Sequence, residues 1–249
     1  MNAIIIAAGS GKRISKDVKN IPKSMVKING KPIIEYQFDI LKKNGINDIY
    51  VITGPFSKEF NLKNVKYVKD VNYSKHDILG SLMEAKKFLK NDVLVLYSDI
   101  IFDSKIIQQI LKSKEDISIA IDMDWEKMYE KRSDHPKTEE ENVKIKNKNK
   151  IIEIKKNIPN VKKDVGEFLG IIKFTSTGAK SFTKQYNKII KEDKKKFHEA
   201  PSISKGYLTD MIQELIDSKI NIEPIFISGK WCEIDTMQDL KKAEKIFKN

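Results

Sequence analysis

Short apolar runs alternate with amphipathic segments along the chain, and this alternation predicts both strands and helices. The continuous apolar runs at Asn2–Ile6, Asp48–Thr53 and Asp92–Tyr97 are typical of strands that are buried on both faces. Between these runs, the segments Ile33–Lys43 and Ile78–Leu89 place apolar residues at helical spacing. Alternating strands and helices favour a parallel sheet with helices on both of its faces.

The composition changes after Asp122, where aromatic and charged residues become more frequent. The segment Lys144–Lys156 alternates apolar with charged residues, which predicts a hairpin with an exposed face, laid over the main sheet. Gly166–Phe174 is predicted to be a further strand, and Thr177–Lys191 is a predicted helix. The whole pattern predicts an α/β chain with a Rossmann-like three-layer α/β/α fold, a mostly parallel sheet and a small β-rich insertion.

The first predicted strand runs into a turn built from small residues, Ala7–Gly11. Such a turn lets the backbone approach a ligand and lets several N–H groups converge on anionic oxygens. Lys12, Arg13 and Lys23 follow, so the turn predicts an anion site and favours a nucleoside triphosphate as its ligand. The predicted nucleotide-binding residues of this segment are Ala7, Ala8, Gly9, Ser10, Gly11, Lys12, Arg13 and Lys23.

The spacing of this turn excludes two common phosphate-binding motifs. A Walker A loop requires Ser or Thr directly after Gly-Lys, and here Arg13 follows Lys12. The dinucleotide-binding fingerprint requires a third glycine or alanine, and Ile14 stands at that position.

Acidic residues in two distant segments form a candidate metal site. Asp99 follows a buried strand of the same kind as the strand before the glycine turn, so both are expected at one edge of the sheet. Glu233 and Asp235 alternate along an extended stretch, which places both carboxylates on the same side. Because neighbouring carboxylates repel each other unless a cation neutralises them, the three residues predict a shared Mg²⁺.

The charge and cysteine content narrow the function classes. The formal net charge is +12, but the lysines are spread along the chain and no nucleic-acid-binding motif accompanies them, so we expect no nucleic-acid partner. The single cysteine, Cys232, excludes an internal disulfide and fits a reducing cytoplasm. No apolar run is long enough for a membrane span, and the N-terminal run does not have the form of a signal peptide, so we expect a cytoplasmic protein.

Several motifs resemble those of a known superfamily. The sequence A-A-G-S-G-K-R and the later pair Pro22-Lys23 resemble the opening of nucleoside-triphosphate transferases. The stretches Ser98–Phe102, Ala120–Trp125 and Trp231–Thr236 resemble the cytidylyltransferases that activate phosphocholine or small phosphonates such as 2-aminoethylphosphonate. The resemblance spans essentially the whole chain.

This resemblance implies roles for individual residues. Asp99, Glu233 and Asp235 would bind Mg²⁺, and the catalytic residues would be Lys23, Arg13 and Asp99. Lys23 would stabilise charge at the α-phosphate, and Arg13 would hold the leaving β- and γ-phosphates. Ser81 would lie near the base. The chain departs from the family at one motif. Phosphocholine enzymes often have Thr-Asn-Asn before the Ser-Leu pair, whereas this chain has His-Asp-Ile at 76–78.

The acceptor is narrowed but not identified by the sequence. A quaternary ammonium group favours an aromatic cage, to which Trp125, Tyr129 and Trp231 could contribute. A primary amine favours a carboxylate such as Asp122, Asp124 or Glu167, and a neutral hydroxyalkyl phosphonate is a further alternative. Four of these residues, Asp122, Trp125, Glu167 and Trp231, are the predicted acceptor-binding set.

We therefore predict one nucleotidyltransferase domain over residues 1–249. Its nucleotide-binding part spans about 1–122, its acceptor-side insertion about 123–204, and its C-terminal metal motif and helix about 205–249. The predicted reaction transfers CMP from CTP to a phosphonate or phosphocholine-like acceptor, and no oligomeric state is predicted. The alternatives are a sugar-1-phosphate nucleotidyltransferase that uses UTP, dTTP or GTP, and a polyanion-binding module without enzyme activity.

Overall fold

A computed structural model describes residues 1–9, 21–130, 132–134, 139–147, 149–159, 164–192 and 196–248. The predicted nucleotide-binding residues Ser10, Gly11, Lys12 and Arg13 lie outside these ranges. Every helix within the described ranges is too short or too polar to cross a membrane.

Strands supply the central layer of the fold. Within the described residues, nine strands form one sheet. Its main path runs β10-β9-β11-β6-β1-β4-β5, and β8 pairs with both β11 and β12. The remaining four form the small pairs β2-β3 and β7-β13. In chain order the strands are β1 (Asn2–Ala7), β2 (Lys27–Ile28), β3 (Lys31–Pro32), β4 (Asp48–Thr53), β5 (Lys66–Lys69), β6 (Val93–Tyr97), β7 (Ile100–Phe102), β8 (Ile117–Asp122), β9 (Glu141–Lys146), β10 (Lys150–Lys156), β11 (Val165–Phe174), β12 (Glu223–Phe226) and β13 (Trp231–Glu233).

The centre of the sheet is parallel, as the sequence predicts. Strand β1 pairs in parallel with β4 on one side, where Ile4 lies opposite Tyr50, and with β6 on the other, where Ile5 lies opposite Leu96. Strand β11 runs antiparallel to β6, β8 and β9. Its pairing with β8 shifts register around Gly170, whose φ of +66° suits glycine, and a Cβ there would lie 2.2 Å from the Tyr97 ring.

Helices cover both faces of the sheet. The apolar residues of β1 alternate between the faces, so that Ile4 joins the cluster packed by α2, α5 and α6, and Ile5 joins the cluster packed by α1 and α3. This arrangement confirms the predicted three-layer α/β/α class. The helices are α1 (Ile33–Lys43), α2 (Ile78–Glu84), α3 (Ser104–Leu111), α4 (Glu126–Tyr129), α5 (Ser176–Glu192), α6 (Leu208–Asp217) and α7 (Met237–Ile246).

The predicted hairpin exists but lies in a different place from the one expected. Strands β9 and β10 form it, and β9 pairs with β11, with Lys144 opposite Val165. The hairpin therefore continues the edge of the main sheet, and the prediction that it lies over the sheet is wrong. The reason is burial, because Val143 and Ile154 carry the hairpin's apolar face into the same core cluster that the sheet uses.

Candidate active site

A small strand pair brings together two segments that are distant in sequence. Strand β7 follows directly after Asp99 and pairs antiparallel with β13, where Ile100 lies opposite Glu233. The Ile234 amide also donates a hydrogen bond to the Asp99 carbonyl at 2.9 Å. The turn before β7 is held by Gln37, a buried residue of α1 whose Nε2 donates to the carbonyl oxygens of Tyr97 and Ile100, both at 2.8 Å.

The strand pair gathers the three predicted metal ligands. One carboxylate oxygen from each of Asp99, Glu233 and Asp235 lies within 4.8 Å of the others. Burial raises the pKa of Glu233 well above its usual range, and the charges of Asp235 and Asp99 raise it further. Carboxylate oxygens are the donor type that Mg²⁺ prefers, so the residues present fit a divalent cation of this kind.

Lys23 lies among the same carboxylates. It begins a short 3₁₀ turn after Pro22, and its Nζ lies 3.1 Å from Asp99 Oδ2 and donates a second hydrogen bond to Asp235. Burial lowers the pKa of Lys23, but the charges of Asp99, Asp235 and Glu233 outweigh that effect and raise it above its ordinary value. Lys23 therefore stays charged and neutralises part of the acidic cluster.

Arg132 also contacts the acidic cluster, and sequence reasoning gave it no role. Its guanidinium is almost fully buried and its Nη2 lies 3.7 Å from Glu233 Oε2 and 3.8 Å from Asp235 Oδ2. Nη2 also donates to Asp239 Oδ2 at 2.9 Å. Asp239 forms a capping box with Thr236 at the start of α7. Arg132 thus ties the carboxylates to a helix end.

A cavity of about 660 Å³ opens at the carboxyl end of β1. Its wall contains the described part of the predicted nucleotide site together with Asp99. The structure brings five predicted nucleotide-binding residues together here, Ala7, Ala8, Gly9, Lys23 and Ser81.

A smaller cavity of about 280 Å³ adjoins the larger one. Lys23, Tyr97 and Asp99 line both, so the cavities meet at the acidic cluster. The wall of the smaller cavity is rich in carboxylates and aromatic rings, and it contains two lysines, Lys23 and Lys156. These residues include Glu139, Glu140, Glu141, Lys156, Glu167, Tyr207 and Trp231.

The predicted acceptor-binding residues divide into two groups. Glu167 and Trp231 line the smaller cavity, but Asp122 and Trp125 do not. Asp122 is buried behind Trp231 and accepts a 2.7 Å hydrogen bond from its Nε1. Trp125 is buried in the core, where its Nε1 donates to the Val165 carbonyl at 3.1 Å. Asp122 can therefore position Trp231, whereas Trp125 serves packing.

Besides Glu233, two further glutamates that line the smaller cavity have raised pKa values. Burial raises the pKa of Glu167 well above its usual range, although the Tyr129 hydroxyl donates to its Oε1. No described residue hydrogen-bonds Glu167 Oε2. Burial also raises the pKa of Glu141 to about 7, against the opposing effects of Lys156 and of the Tyr97 hydroxyl, which donates to Glu141 at 3.0 Å.

Comparison with known proteins bears on this site. A family model described as "MobA-like NTP transferase domain" matches residues 3–234. The CTP:phosphoglutamine cytidylyltransferase of Campylobacter jejuni is 32% identical over 97% of this chain and 98% of its own length. The choline-phosphate cytidylyltransferase of Streptococcus pneumoniae is 35% identical over 45% of this chain and 51% of its own length.

The fold is also that of a solved cytidylyltransferase. The structure of the CTP:phosphocholine cytidylyltransferase from Streptococcus pneumoniae superposes with a TM-score of 0.71. That alignment covers 99% of each chain at 23% identity, so it supports the architecture rather than a shared substrate.

Proposed function

The chain belongs to the MobA-like NTP transferase family, and on this premise we propose that it transfers CMP from CTP to a small acceptor that carries a phosphate or phosphonate group, with Mg²⁺ as cofactor and pyrophosphate as the leaving product. The family resemblance of the sequence is confirmed, and so is the expectation that the chain is a nucleotidyltransferase. Family membership also argues against a polyanion-binding module without enzyme activity.

One observation carries the proposal: Lys23 and Asp99 stand where the two cavities meet. The larger cavity contains the small-residue turn at Ala7–Gly9, which suits a triphosphate, and the smaller one has room for a small acceptor. The α-phosphate and the acceptor's anionic oxygen then face each other beside the acidic cluster. A transfer between two bound substrates requires this proximity.

The reaction needs little covalent help from the protein. An oxygen of the acceptor's phosphate or phosphonate attacks the α-phosphorus of CTP, a new P–O bond forms, and the bond to the bridging oxygen breaks as pyrophosphate leaves. Lys23 stays protonated and stabilises the negative charge on the transferred phosphoryl group. Arg132 holds Glu233 and Asp235 in position. Asp99, Glu233 and Asp235 would hold Mg²⁺, and the ion would supply neutralisation of the phosphate charge.

The wall of the smaller cavity favours an acceptor that carries a positive group besides its anionic end. Glu141 and Glu167 offer carboxyl groups, and Trp231 and Tyr207 offer aromatic faces. Choline phosphate, the substrate named for the pneumococcal relative, carries such a cation, and 2-aminoethylphosphonate does too. We therefore propose a phosphonate or phosphocholine-like acceptor.

A matrix of triphosphates and acceptors tests the proposal. Purified protein with Mg²⁺ is incubated with CTP, UTP, dTTP or GTP and with phosphocholine, 2-aminoethylphosphonate, a hydroxyalkyl phosphonate or glucose 1-phosphate, and pyrophosphate release is measured. We expect turnover with CTP and a cationic acceptor. Turnover with glucose 1-phosphate and UTP or dTTP, but none with CTP, would establish the sugar-1-phosphate alternative instead.

A further inference from the structure

A buried aspartate holds two side chains at the wall of the larger cavity. Asp70 is fully buried just beyond the end of β5, and both of its carboxylate oxygens are engaged. His76 Nδ1 lies 3.0 Å from Oδ1 and 3.1 Å from Oδ2, and Ser81 Oγ donates to Oδ2 at 2.8 Å. The Asn72 amide donates to Oδ1 at 2.9 Å. His76 and Ser81 line the cavity and Asp70 does not.

We propose that Asp70 orients His76 and Ser81 so that each offers a hydrogen-bond acceptor to the nucleobase. This pair of acceptors selects cytosine over uracil and thymine. The inference rests on the proposed CMP transfer and adds to it the residues that distinguish the base. His76 and Ser81 are the specificity-determining contacts, and Asp70 is a positioning residue.

The imidazole of His76 is oriented by its partner. An ionised carboxylate only accepts hydrogen bonds, so Nδ1 must carry the proton that it shares with Asp70. Glu84 Oε1, 3.8 Å from Nδ1, lies near the same nitrogen and reinforces this tautomer. In the neutral ring Nε2 is then an acceptor. No described residue hydrogen-bonds Nε2, and His76 belongs to the cavity wall.

The hydroxyl of Ser81 is oriented in the same way. It has one hydrogen, and that hydrogen is donated to Asp70. The oxygen can therefore offer only lone pairs to a ligand. Both cavity-lining groups consequently have acceptor character.

The exocyclic group at C4 of the base distinguishes the pyrimidines. Cytosine carries an amino group there with two hydrogens, enough for one bond to each acceptor, whereas uracil and thymine carry a carbonyl oxygen. With those bases the acceptors would face another acceptor and remain unpaired. A buried polar group without a partner is costly, so binding sites reject ligands that leave one.

Close packing prevents the imidazole from moving away from a mismatched base. The His76 ring lies directly over Gly80, in helix α2. A Cβ at Gly80 would lie 2.8 Å from both Cγ and Cδ2 of His76, and 2.6 Å from the Ser204 carbonyl oxygen. The ring is therefore held between Asp70 and the backbone of α2. The absence of a side chain at Gly80 is a condition of this arrangement.

Two variants test the proposal against a purely structural role for the same network. For each, kcat/KM is measured with CTP and with UTP at one fixed acceptor. His76→Asn removes an acceptor that the shorter side chain cannot replace, and we expect the CTP-to-UTP ratio to fall on the order of tenfold or more. Asp70→Asn provides an amide that can donate to Nδ1, which turns Nε2 into a donor, so UTP should gain relative to CTP.

His198→Asn is the matched control. His198 is also paired with a carboxylate, Glu214 at 3.1 Å, but it does not line either cavity, so the CTP-to-UTP ratio should stay at the wild-type value. An unchanged ratio in His76→Asn, or an equal loss with both nucleotides accompanied by a lower melting temperature, would overturn the proposal.

Calorimetric titration separates this inference from the proposed function. Dissociation constants for CTP and UTP are measured with Mg²⁺ in the wild type and in His76→Asn, without any acceptor. A wild-type preference for CTP that His76→Asn loses supports the inference even if the acceptor has been misidentified. Pyrophosphate release from CTP by both proteins with the same nucleotide preference would refute the inference and leave CMP transfer standing.

Discussion

At the scale of single residues, Lys23 has the most direct consequences for catalysis. Its ammonium group contacts two of the three clustered carboxylates and lines both cavities. Lys23→Ala should lower kcat by roughly 10²–10³, with a smaller effect on the KM for CTP, because it removes charge stabilisation that is greatest in the transition state. Steady-state kinetics checks this.

The control for that variant is Lys27→Ala, which removes an exposed lysine of β2 and should leave kcat unchanged. A Lys23→Ala enzyme with wild-type kcat and a raised KM would show that Lys23 serves ground-state binding alone.

Glu141 gives a prediction about pH. Burial raises its pKa to about 7; Lys156 and Tyr97 oppose the shift, whereas Asp99 and Asp210 add to it. As pH rises through about 7 the group becomes a carboxylate, so kcat/KM for a cationic acceptor should rise with it. The free energy of unfolding should change in the opposite direction. A raised carboxyl pKa stabilises the folded protein at low pH, and this contribution is lost as pH rises through 7.

The pH profile of kcat/KM with 2-aminoethylphosphonate checks this prediction. Glu141→Gln should remove the rise near pH 7, and Lys156→Met should move it to higher pH because a cation that lowers the pKa is lost. A profile that Glu141→Gln leaves unaltered would assign the titration to another group.

Trp125 and Trp231 show that the sequence alone does not tell which of two tryptophans lines a cavity. Trp125 and Trp231 were both candidates for an acceptor cage, since aromatic rings can surround a quaternary ammonium group. Only Trp231 reaches the smaller cavity, because Asp122 holds its indole nitrogen, while the Val165 carbonyl holds that of Trp125 inside the core. Such partners come from remote strands, so the sequence carried no signal that separates the two residues.

At the scale of elements, helix α1 controls the turn that carries Asp99. Gln37→Leu would leave the carbonyl oxygens of Tyr97 and Ile100 without their 2.8 Å donors. We expect a loss of about 1–3 kcal/mol in the free energy of unfolding, together with reduced kcat. Chemical denaturation and steady-state kinetics measure the two effects.

Gln108→Leu provides the comparison, because Gln108 is an exposed residue of α3. Its effect on stability should stay within about 0.5 kcal/mol. Equal stability of the two variants would mean that the Gln37 hydrogen bonds do not hold the turn.

Elements with strong local patterns were predictable, and those defined by tertiary pairing were not. The apolar periodicity of α1 and the apolar run of β4 gave both elements with their observed bounds. The hairpin of β9 and β10 was recognised from its alternation, but its attachment to β11 was not, since strand pairing depends on which edge is open. Gln37 and Arg132 were missed for a related reason, because each acts on partners far away in the chain.

At the scale of the whole molecule, the candidate metal site joins Asp99, from the interior of the sequence, to Glu233 and Asp235, which lie near its C-terminal end. If Asp99, Glu233 and Asp235 bind Mg²⁺, the ion should stabilise the folded protein by about 2.7 kcal/mol at a hundred times its Kd. For a domain of this size that is roughly 5–10 °C in Tm. Asp235→Asn should abolish this gain and Mg²⁺-dependent turnover while leaving the fold intact.

Thermal melting with Mg²⁺ and with EDTA measures the gain. Asp39→Asn makes the same chemical change at an exposed residue of α1 and should keep the full response. A Tm that does not respond to Mg²⁺ in the wild type, in the presence or absence of CTP, would contradict a metal site at these carboxylates.

The overall architecture followed from a general rule. In parallel sheets ligands collect at the carboxyl ends of strands, and this rule predicts that Asp99 and the turn after β1 lie at one edge of the sheet. In the structure, Asp99 and the described part of that turn, Ala7–Gly9, line one cavity. The rule does not predict that two cavities lie at that edge, because the wall of the smaller cavity depends on side chains from β9, from β11 and from the segment around Tyr207.

The wall that the two cavities share, which includes Lys23 and Asp99, has a consequence for inhibition. A compound that links a cytidine to an amine through a short phosphorylated bridge would fill the larger and the smaller cavity at once and would pass beside Lys23 and Asp99. It would compete with each substrate and would benefit from the effective concentration that a linker provides. The product of the proposed reaction would have this shape, so feedback inhibition by that product would need no separate regulatory pocket.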